Sequence, residues 1–267
     1  MLQIRVIPCL LLQDKGLVKT VRFKDPTYLG DPINAVRIFN ESEVDELIFL
    51  DITPAKQRGL FRSTKKYAIP LDLVSKISEE CYMPLAYGGG IRSIEDIQGI
   101  MSTGVEKVVI NTAAVENPDL IRQAADLYGN QSIVVSMDVL KNAQGSYDVM
   151  THGGSQPTGR DPVTHATTME SFGAGEIFVN SIDRDGTMSG YDIPLIQRIA
   201  SSISVPLIAC GGAGHLDHFT EAVHEGGAAA VAAGSFFVFH GKRRAVLISY
   251  PPREELEKIF VREGQKR

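Results

Sequence analysis

Two glycine-rich stretches, Gly88-Gly89-Gly90-Ile91 and Gly211-Gly212-Ala213-Gly214, end apolar runs and lead into helix-like segments. In both cases the next apolar run closes on small residues, Asn111-Thr112-Ala113 in one and Gly234-Ser235-Phe236 in the other. Glycine lets a backbone approach a ligand closely, and free N–H groups at a helix start favour phosphate. One such loop is a common way to end a strand. Two in matching order suggest a ligand with phosphate at both ends, or at least an anionic one.

Other chemistry-bearing residues form no pattern of their own. Cys9, Cys81 and Cys210 have neither metal-ligand nor CxxC spacing and read as reduced, packed thiols. Among six histidines only His215 and His218 have helical spacing, which reads as a surface pair. No metal site and no cofactor is expected, and neither a GxSxG elbow nor a P-loop occurs.

The elements that position the glycine loops are short, continuous apolar runs: 4–11, 46–52, 84–89, 107–111, 132–138, 176–182, 206–212 and 229–234. Such continuity suits parallel strands buried on both faces. Each run is followed by a helix candidate, which predicts an α/β fold, a single (β/α)8 TIM barrel over residues 1–267. Asp31-Pro32 and Asn117-Pro118 read as helix starts, and Ser93 with Asp96 approaches a capping box. Gly104, Gly129 and Gly226 fall where helices should stop. Residues 141–154 read as a hairpin inserted after the fifth strand, and residues 53–66 as a basic loop bearing Lys56, Arg58, Arg62, Lys65 and Lys66.

The halves repeat. PLAYGGGIRSIEDI matches PLIACGGAGHLDHF, GVEKVVINTAA matches GAAAVAAGSFF, and DELIFLDI matches AGEIFVNSID, at nearly constant separation. Three blocks in order mean a duplicated half-barrel.

Composition narrows the class. A net charge of −5 gives no sign of a nucleic-acid or membrane surface. The apolar start, MLQIRVIPCLLL, is broken by Arg5 and Pro8 and reads as a strand rather than a leader. No apolar run approaches the roughly 18 residues of a membrane span, so a cytoplasmic protein is expected.

RVIPCL, DELIFLDIT, GGGI, KVVINTAAVENP, SIDRDGTMSGYD and GGAG resemble, in order and spacing, the cyclase subunit family of imidazole glycerol phosphate synthase. The resemblance runs from residue 1 to about 240, and SIDRDGTMSGYD is its most specific block. It implies a barrel that works with a glutaminase, admits ammonia through its floor and uses a bisphosphorylated ribulosyl-aminoimidazole carboxamide. It also implies a floor ring of alternating charge, here Arg5, Glu46, Lys107 and Glu176. From position alone these four could form a solvated rim, but alternating signs in a barrel mouth more naturally pair into a gate that neutral ammonia can pass. The phosphate positions that carry over are Gly90, Asn111, Thr112, Asp185, Gly186, Gly212 and Ser235, with Lys19 and Asp51 as further substrate positions.

The family's chemistry needs a carboxylate from each half as general acid and base. Asp138 matches one; where the other is expected this chain has Leu11, in PCLL. Asp14 lies three residues on, at a position already acidic in the family, and is not read as a displaced catalyst. The PCLLL block and the tail GSFFVFHGKRRAVLISYPPREE resemble a cyclase-like branch associated with amidation of bacterial surface sugars. There, barrel and glutaminase pass ammonia to a separate sugar amidotransferase. A histidine-pathway cyclase and a non-catalytic activator of the glutaminase remain as alternatives.

Overall fold

The computed structural model describes residues 4–53, 69–241 and 243–260. The expected basic loop therefore lies, apart from Thr53, outside the described residues. All eight expected strands form: β1 (Arg5–Gln13), β2 (Leu47–Asp51), β3 (Leu85–Gly88), β4 (Lys107–Ile110), β5 (Ile133–Lys141), β6 (Glu176–Ser181), β7 (Leu207–Cys210) and β8 (Ala230–Ala233). Each pairs in parallel with its sequence neighbours, and β8 returns to β1 with Arg5 beside Ala230. The barrel is closed.

Alternation along the strands sorts the apolar residues into two cores. Ile7, Cys9, Ile48, Val109, Phe178 and Ile208 pack together inside the barrel. Leu10, Phe49, Tyr87, Val108 and Val179 belong to the larger core shared with the helices. Away from their ends the strands are thus buried on both faces, which is why the runs read as continuous rather than alternating.

The duplication survives in backbone geometry. Gly89 and Gly90 adopt φ of 110° and 76°, and their counterparts Gly211 and Gly212 adopt 89° and 116°. Asn111, which precedes the short helix Thr112–Glu116, has φ −113° and ψ −86°; Gly234, before Ser235–Val238, has φ −107° and ψ −70°. Asp31 and Asp161 cap matching helices, Pro32–Glu41 and Pro162–Ser171, each accepting two backbone N–H groups and each followed by proline.

Ser93 and Asp96 complete the expected capping box. Asn117 does not cap: the helix Asp119–Tyr128 starts after Pro118 with no side-chain cap, and Asn117 instead terminates the preceding short helix. Gly226 is likewise not the left-handed stop. Gly227 takes that role with φ 76°, while Gly226 is needed for space, since a Cβ there would sit 2.5 Å from the Ala222 carbonyl oxygen.

The expected hairpin after β5 is present, with Lys141 paired to Tyr147 and Asp138 to Met150. A matching antiparallel pair after β1, Gly16–Val21 with Lys24–Gly30, was not legible in the sequence. Its turns use Asp14-Lys15 and Arg22-Phe23 at positive φ, without the Asn-Gly or Asp-Gly signals that usually mark such turns. No helix among the described residues is long and apolar enough to cross a membrane.

Candidate functional site: a charged floor and a polar mouth

At the N-terminal end of the strands, Arg5, Glu46, Lys107 and Glu176 close into a ring. Arg5 bonds Glu46 through one guanidinium nitrogen and Glu176 at 2.5 Å through another. Lys107 Nζ reaches Glu46 Oε1 at 3.0 Å and Glu176 Oε2 at 3.1 Å. Each carboxylate therefore holds two cations and each cation two carboxylates. Glu46 and Glu176 are buried, so removing their partners would leave a carboxylate without the ion pairs that offset its desolvation. Burial works against the Arg5 guanidinium, but Glu176 and Glu46 more than offset it and hold its pKa above the ordinary value. The ring rather than the solvated rim is what the chain forms.

At the opposite end, Asp138 accepts a hydrogen bond from Asn111 Nδ2 at 2.7 Å. Its edge still reaches the mouth, yet protein encloses the carboxyl group on its other sides. That enclosure, reinforced by the nearby Asp185 carboxylate and opposed by the Asn111 bond, raises its pKa to about 7. A carboxyl group poised near neutrality can give or take a proton. Asn180 sits beside Asp138 in the β5–β6 register, buried, with its Oδ1 unpaired among the described residues.

The matching place in the first half is apolar. Leu11 lies beside Leu50 in the β1–β2 register, and Leu50 packs on the interior core. Asp14 is exposed in the turn beyond, its backbone N–H bonded to Thr53 Oγ1 at 3.1 Å. It does not replace the missing acid.

Several expected ligand positions converge on the second-half loops. Lys19 Nζ is buried and bonds Asp185 Oδ1 at 2.8 Å, while Thr20 Oγ1 bonds Asp185 Oδ2 at 3.2 Å. The Lys19 stem crosses Gly234, where a Cβ would stand 3.0 Å from Cε. Gly186 has φ 71°, and a Cβ there would be 2.3 Å from the Thr20 carbonyl oxygen, so only glycine lets this loop dock against the hairpin. Ser235 is buried beside the same loop and reaches Arg244, a residue that sequence reasoning did not single out. Gly212 accepts from Gly190 N at 2.8 Å. Among the described residues the Gly186 and Gly212 N–H groups find no acceptor.

In the first half, Thr112 Oγ1 accepts from His152 N at 3.1 Å, and His152 Nε2 lies 2.9 Å from Glu116. His152 arrives from the inserted hairpin and is a second residue that the motifs did not flag. Asp51 stands apart. It is buried on the helix side of β2, held by Tyr87 Oη at 3.3 Å and Thr53 N at 2.9 Å. No group of three or more potential ligands for a metal occurs among the described residues.

Residues 5–243 match the model of the histidine biosynthesis protein family. The chain belongs to this family. A Pseudomonas aeruginosa relative, provisionally named imidazole glycerol phosphate synthase subunit hisF2, is 51% identical over 96% of this chain and 99% of its own length. A Leptospira borgpetersenii relative, provisionally named imidazole glycerol phosphate synthase subunit HisF, is 46% identical over 97% of this chain and all of its own. A Vibrio vulnificus relative, provisionally named subunit hisF3 of the same synthase, is 45% identical over 97% of both chains. Family membership agrees with the closed barrel.

Proposed function

We propose that this chain is the ammonia-receiving, cyclase-like subunit of a glutamine amidotransferase complex. A glutaminase would dock at the floor, where the exposed Tyr82 adjoins the strand starts, and neutral ammonia would pass the ring of Arg5, Glu46, Lys107 and Glu176. A phosphorylated ligand would lie across the mouth between Gly90, Asn111 and Thr112 on one side and Asp185, Gly186, Gly212 and Ser235 on the other. Lys19 holds Asp185 in place for that contact, and Asp51 braces the rim of β2. The names of the relatives support the synthase assignment.

One observation carries the reading beyond the family: where the second half sets the Asp138 carboxyl group in β5, the first half has Leu11 in β1. Asp138 is tuned toward neutrality, whereas Leu11 and Leu50 can neither donate nor accept a proton. Loss of a positioned acid costs about 10²–10⁴ in rate. We therefore favour ammonia delivery to a downstream amidotransferase acting on a bacterial surface sugar, with Asp138 orienting the ligand. Histidine-pathway cyclisation is the second reading, favoured by the preserved anion loops of both halves. A barrel that only activates its glutaminase is the third.

The test is turnover of the ribulosyl-aminoimidazole carboxamide substrate by the purified chain with ammonium salt at basic pH. A rate of about 1 s⁻¹ or more, ordinary for an enzyme, would establish the second reading and sink the first. Tight substrate binding without turnover is the expected result. Glutaminase activity that depends on this chain, and changes when Lys107 is replaced, would support the complex.

A further inference from the structure

The barrel interior holds two thiols that neither the floor nor the mouth employs. Cys9 on β1 and Cys210 on β7 belong to the interior core with Ile7 and Ile208, and both are buried. Between them runs β8, whose interior residues are Ala230 and Ala232, followed in the same alternation by Gly234. Pro8 stands beside Ala233 and Ala209 beside Val231, so one residue on Cys9 adjoins Gly234 and Cys210 adjoins Ala232. A Cβ at Gly234 would stand 3.0 Å from the Cys9 carbonyl oxygen. Side chains this small leave the space between β1 and β7 open, and the two thiols meet across it in a shared hydrogen bond. Sequence spacing hides the pair, because its members come from the first and seventh strands of the barrel.

Spacing decides what the pair can do. Neighbouring strands lie about 4.8 Å apart, so residues two strands apart have Cα atoms about 9 Å from each other. A disulfide needs Cα atoms within about 7 Å, a distance that the closed barrel does not grant. A two-coordinate metal ion asks for less. Two thiolate–metal bonds of about 2.3 Å, the length found with zinc, set the sulfurs about 4.6 Å apart. Thiols already within hydrogen-bonding reach need only small rotations to take that separation. Zinc itself wants four nitrogen or sulfur ligands, and no group of three or more potential ligands occurs among the described residues. The Tyr191 hydroxyl, close enough to feel both cysteines, is committed to the Ala232 carbonyl at 2.9 Å. Soft thiolates with no further ligand favour copper(I) over harder ions.

We propose that Cys9 and Cys210 form a linear bis-thiolate site for a soft monovalent d10 ion of the copper(I) and silver(I) class. Binding breaks two S–H bonds, forms two S–metal bonds and releases two protons to solvent, with no change of oxidation state. The bond to Cys9 and burial hold the Cys210 thiol well above its ordinary pKa, so its proton leaves when an ion replaces it. The Lys19 stem crosses Gly234, and its ammonium favours negative charge on Cys210 while the Asp185 carboxylate opposes it. Cys210 adjoins Asn180 in the β6–β7 register, and Asn180 adjoins Asp138. The site therefore borders the mouth from inside the barrel.

Silver(I) nitrate titrated into the full chain bearing Cys81→Ser, in chloride-free buffer without added thiol, reads the site, because that substitution removes the third cysteine. One ion should bind per chain with release of two protons, followed by calorimetry in buffers of different ionisation enthalpy. X-ray absorption should show two sulfur neighbours. Zinc(II) should bind at least about a thousandfold less tightly than silver(I). In the same background Cys9→Ser and Cys210→Ser should each weaken silver binding at least about a hundredfold. Cys9→Ala and Cys210→Ala repeat the measurement without adding a buried hydroxyl group, and the silver-to-zinc ratio needs neither substitution. Silver binding within about tenfold of the parent in the variants of either cysteine overturns the proposal. So does zinc binding as tight as silver, or loss of silver binding on Cys81→Ser alone. Hydrogen peroxide that readily closes a Cys9–Cys210 disulfide would also overturn it, since the strands would then lie closer than the linear site requires.

Discussion

The two half-barrels share a backbone and differ in what they place at the mouth. Both carry paired left-handed glycines, a short helix after the fourth strand of the half, and an antiparallel hairpin on the first. Where the second half sets Asp138 beside Asn180, the first sets Leu11 beside Leu50. Among the described residues Arg22 and Arg244 bond backbone carbonyls of the second-half loop, while on the first-half short helix Arg160 bonds the Val115 carbonyl and His152 pairs with Glu116. At the floor the contrast disappears, because Arg5 and Glu46 from one half interlock with Glu176 from the other and Lys107 bridges both carboxylates. Duplication preserved what the fold needs and left the mouth free to diverge.

The sharpest way to break this contrast is Leu11→Asp, which restores the second carboxyl group. Ammonia-dependent cyclisation should rise by about 10²–10⁴, measured as product formation with ammonium salt. No gain would mean that Leu50 and Asn180 have reshaped the mouth as well, and that one residue does not explain the difference.

The floor should behave as one unit. Glu46→Leu and Glu176→Leu each strand two cations, and about 3–5 kcal/mol of stability should be lost in urea denaturation. Glu46 is 1% exposed against 8% for Glu176, so its replacement should cost more. A loss below about 1 kcal/mol for both would show that the ring is a solvated rim after all.

Asp138 should be a burden on stability as well as a site of chemistry. Its folded-state pKa is raised from 3.8 to about 7, so between those values the folded chain keeps a proton that the unfolded chain has released. Stability contributed by the protonated form is complete below pH 4, falls as pH rises, and is gone above pH 7. Asp138→Asn removes this dependence and should stabilise the protein at pH 8 by on the order of 3 kcal/mol, with little effect at pH 4. Equal melting shifts at both pH values would place the carboxyl group in contact with water. Leu11→Asn, at the matching position, should show no such pH dependence.

The smallest effect concerns the helix caps. Asp31→Ala and Asp161→Ala should each cost about 1 kcal/mol. Asp161 also accepts from Arg198 at 3.1 Å, so its loss should be slightly larger. Identical thermal shifts would mean that this surface pair adds nothing.

Much of the scaffold was legible in the residues because its causes are local. A strand buried on both faces must be continuously apolar, and a left-handed turn next to a packed carbonyl must be glycine. Asp31-Pro32 announces a helix because the aspartate caps the first backbone N–H groups and the proline needs none. The hairpin after β1 was not legible, since its turns place Asp14, Lys15, Arg22 and Phe23 at positive φ where no local signal demands it. Its docking supplies the cause: Arg22 N bonds the Asp185 carbonyl at 2.9 Å, a contact across most of the chain. Asn117-Pro118 misled for the opposite reason, because the local signal was present but the short helix before it had already taken the asparagine.

What the sequence determined by itself was the inventory: eight buried strands, a doubled half-barrel, four charges at strand starts, and one carboxylate where two were expected. Only the tertiary structure decided how these residues act. A charge becomes part of a ring only when barrel closure brings residue 5 to residue 176. The titration of Asp138 depends on the shelter around it and on Asp185 in a different loop. Arg244 acquires its place only because the chain between the paired Phe239–His240 and Ala245–Val246 folds back onto Gly186 and Ser235. Burial and long-range electrostatics arise from distances in space, and those distances exist only once the barrel has closed.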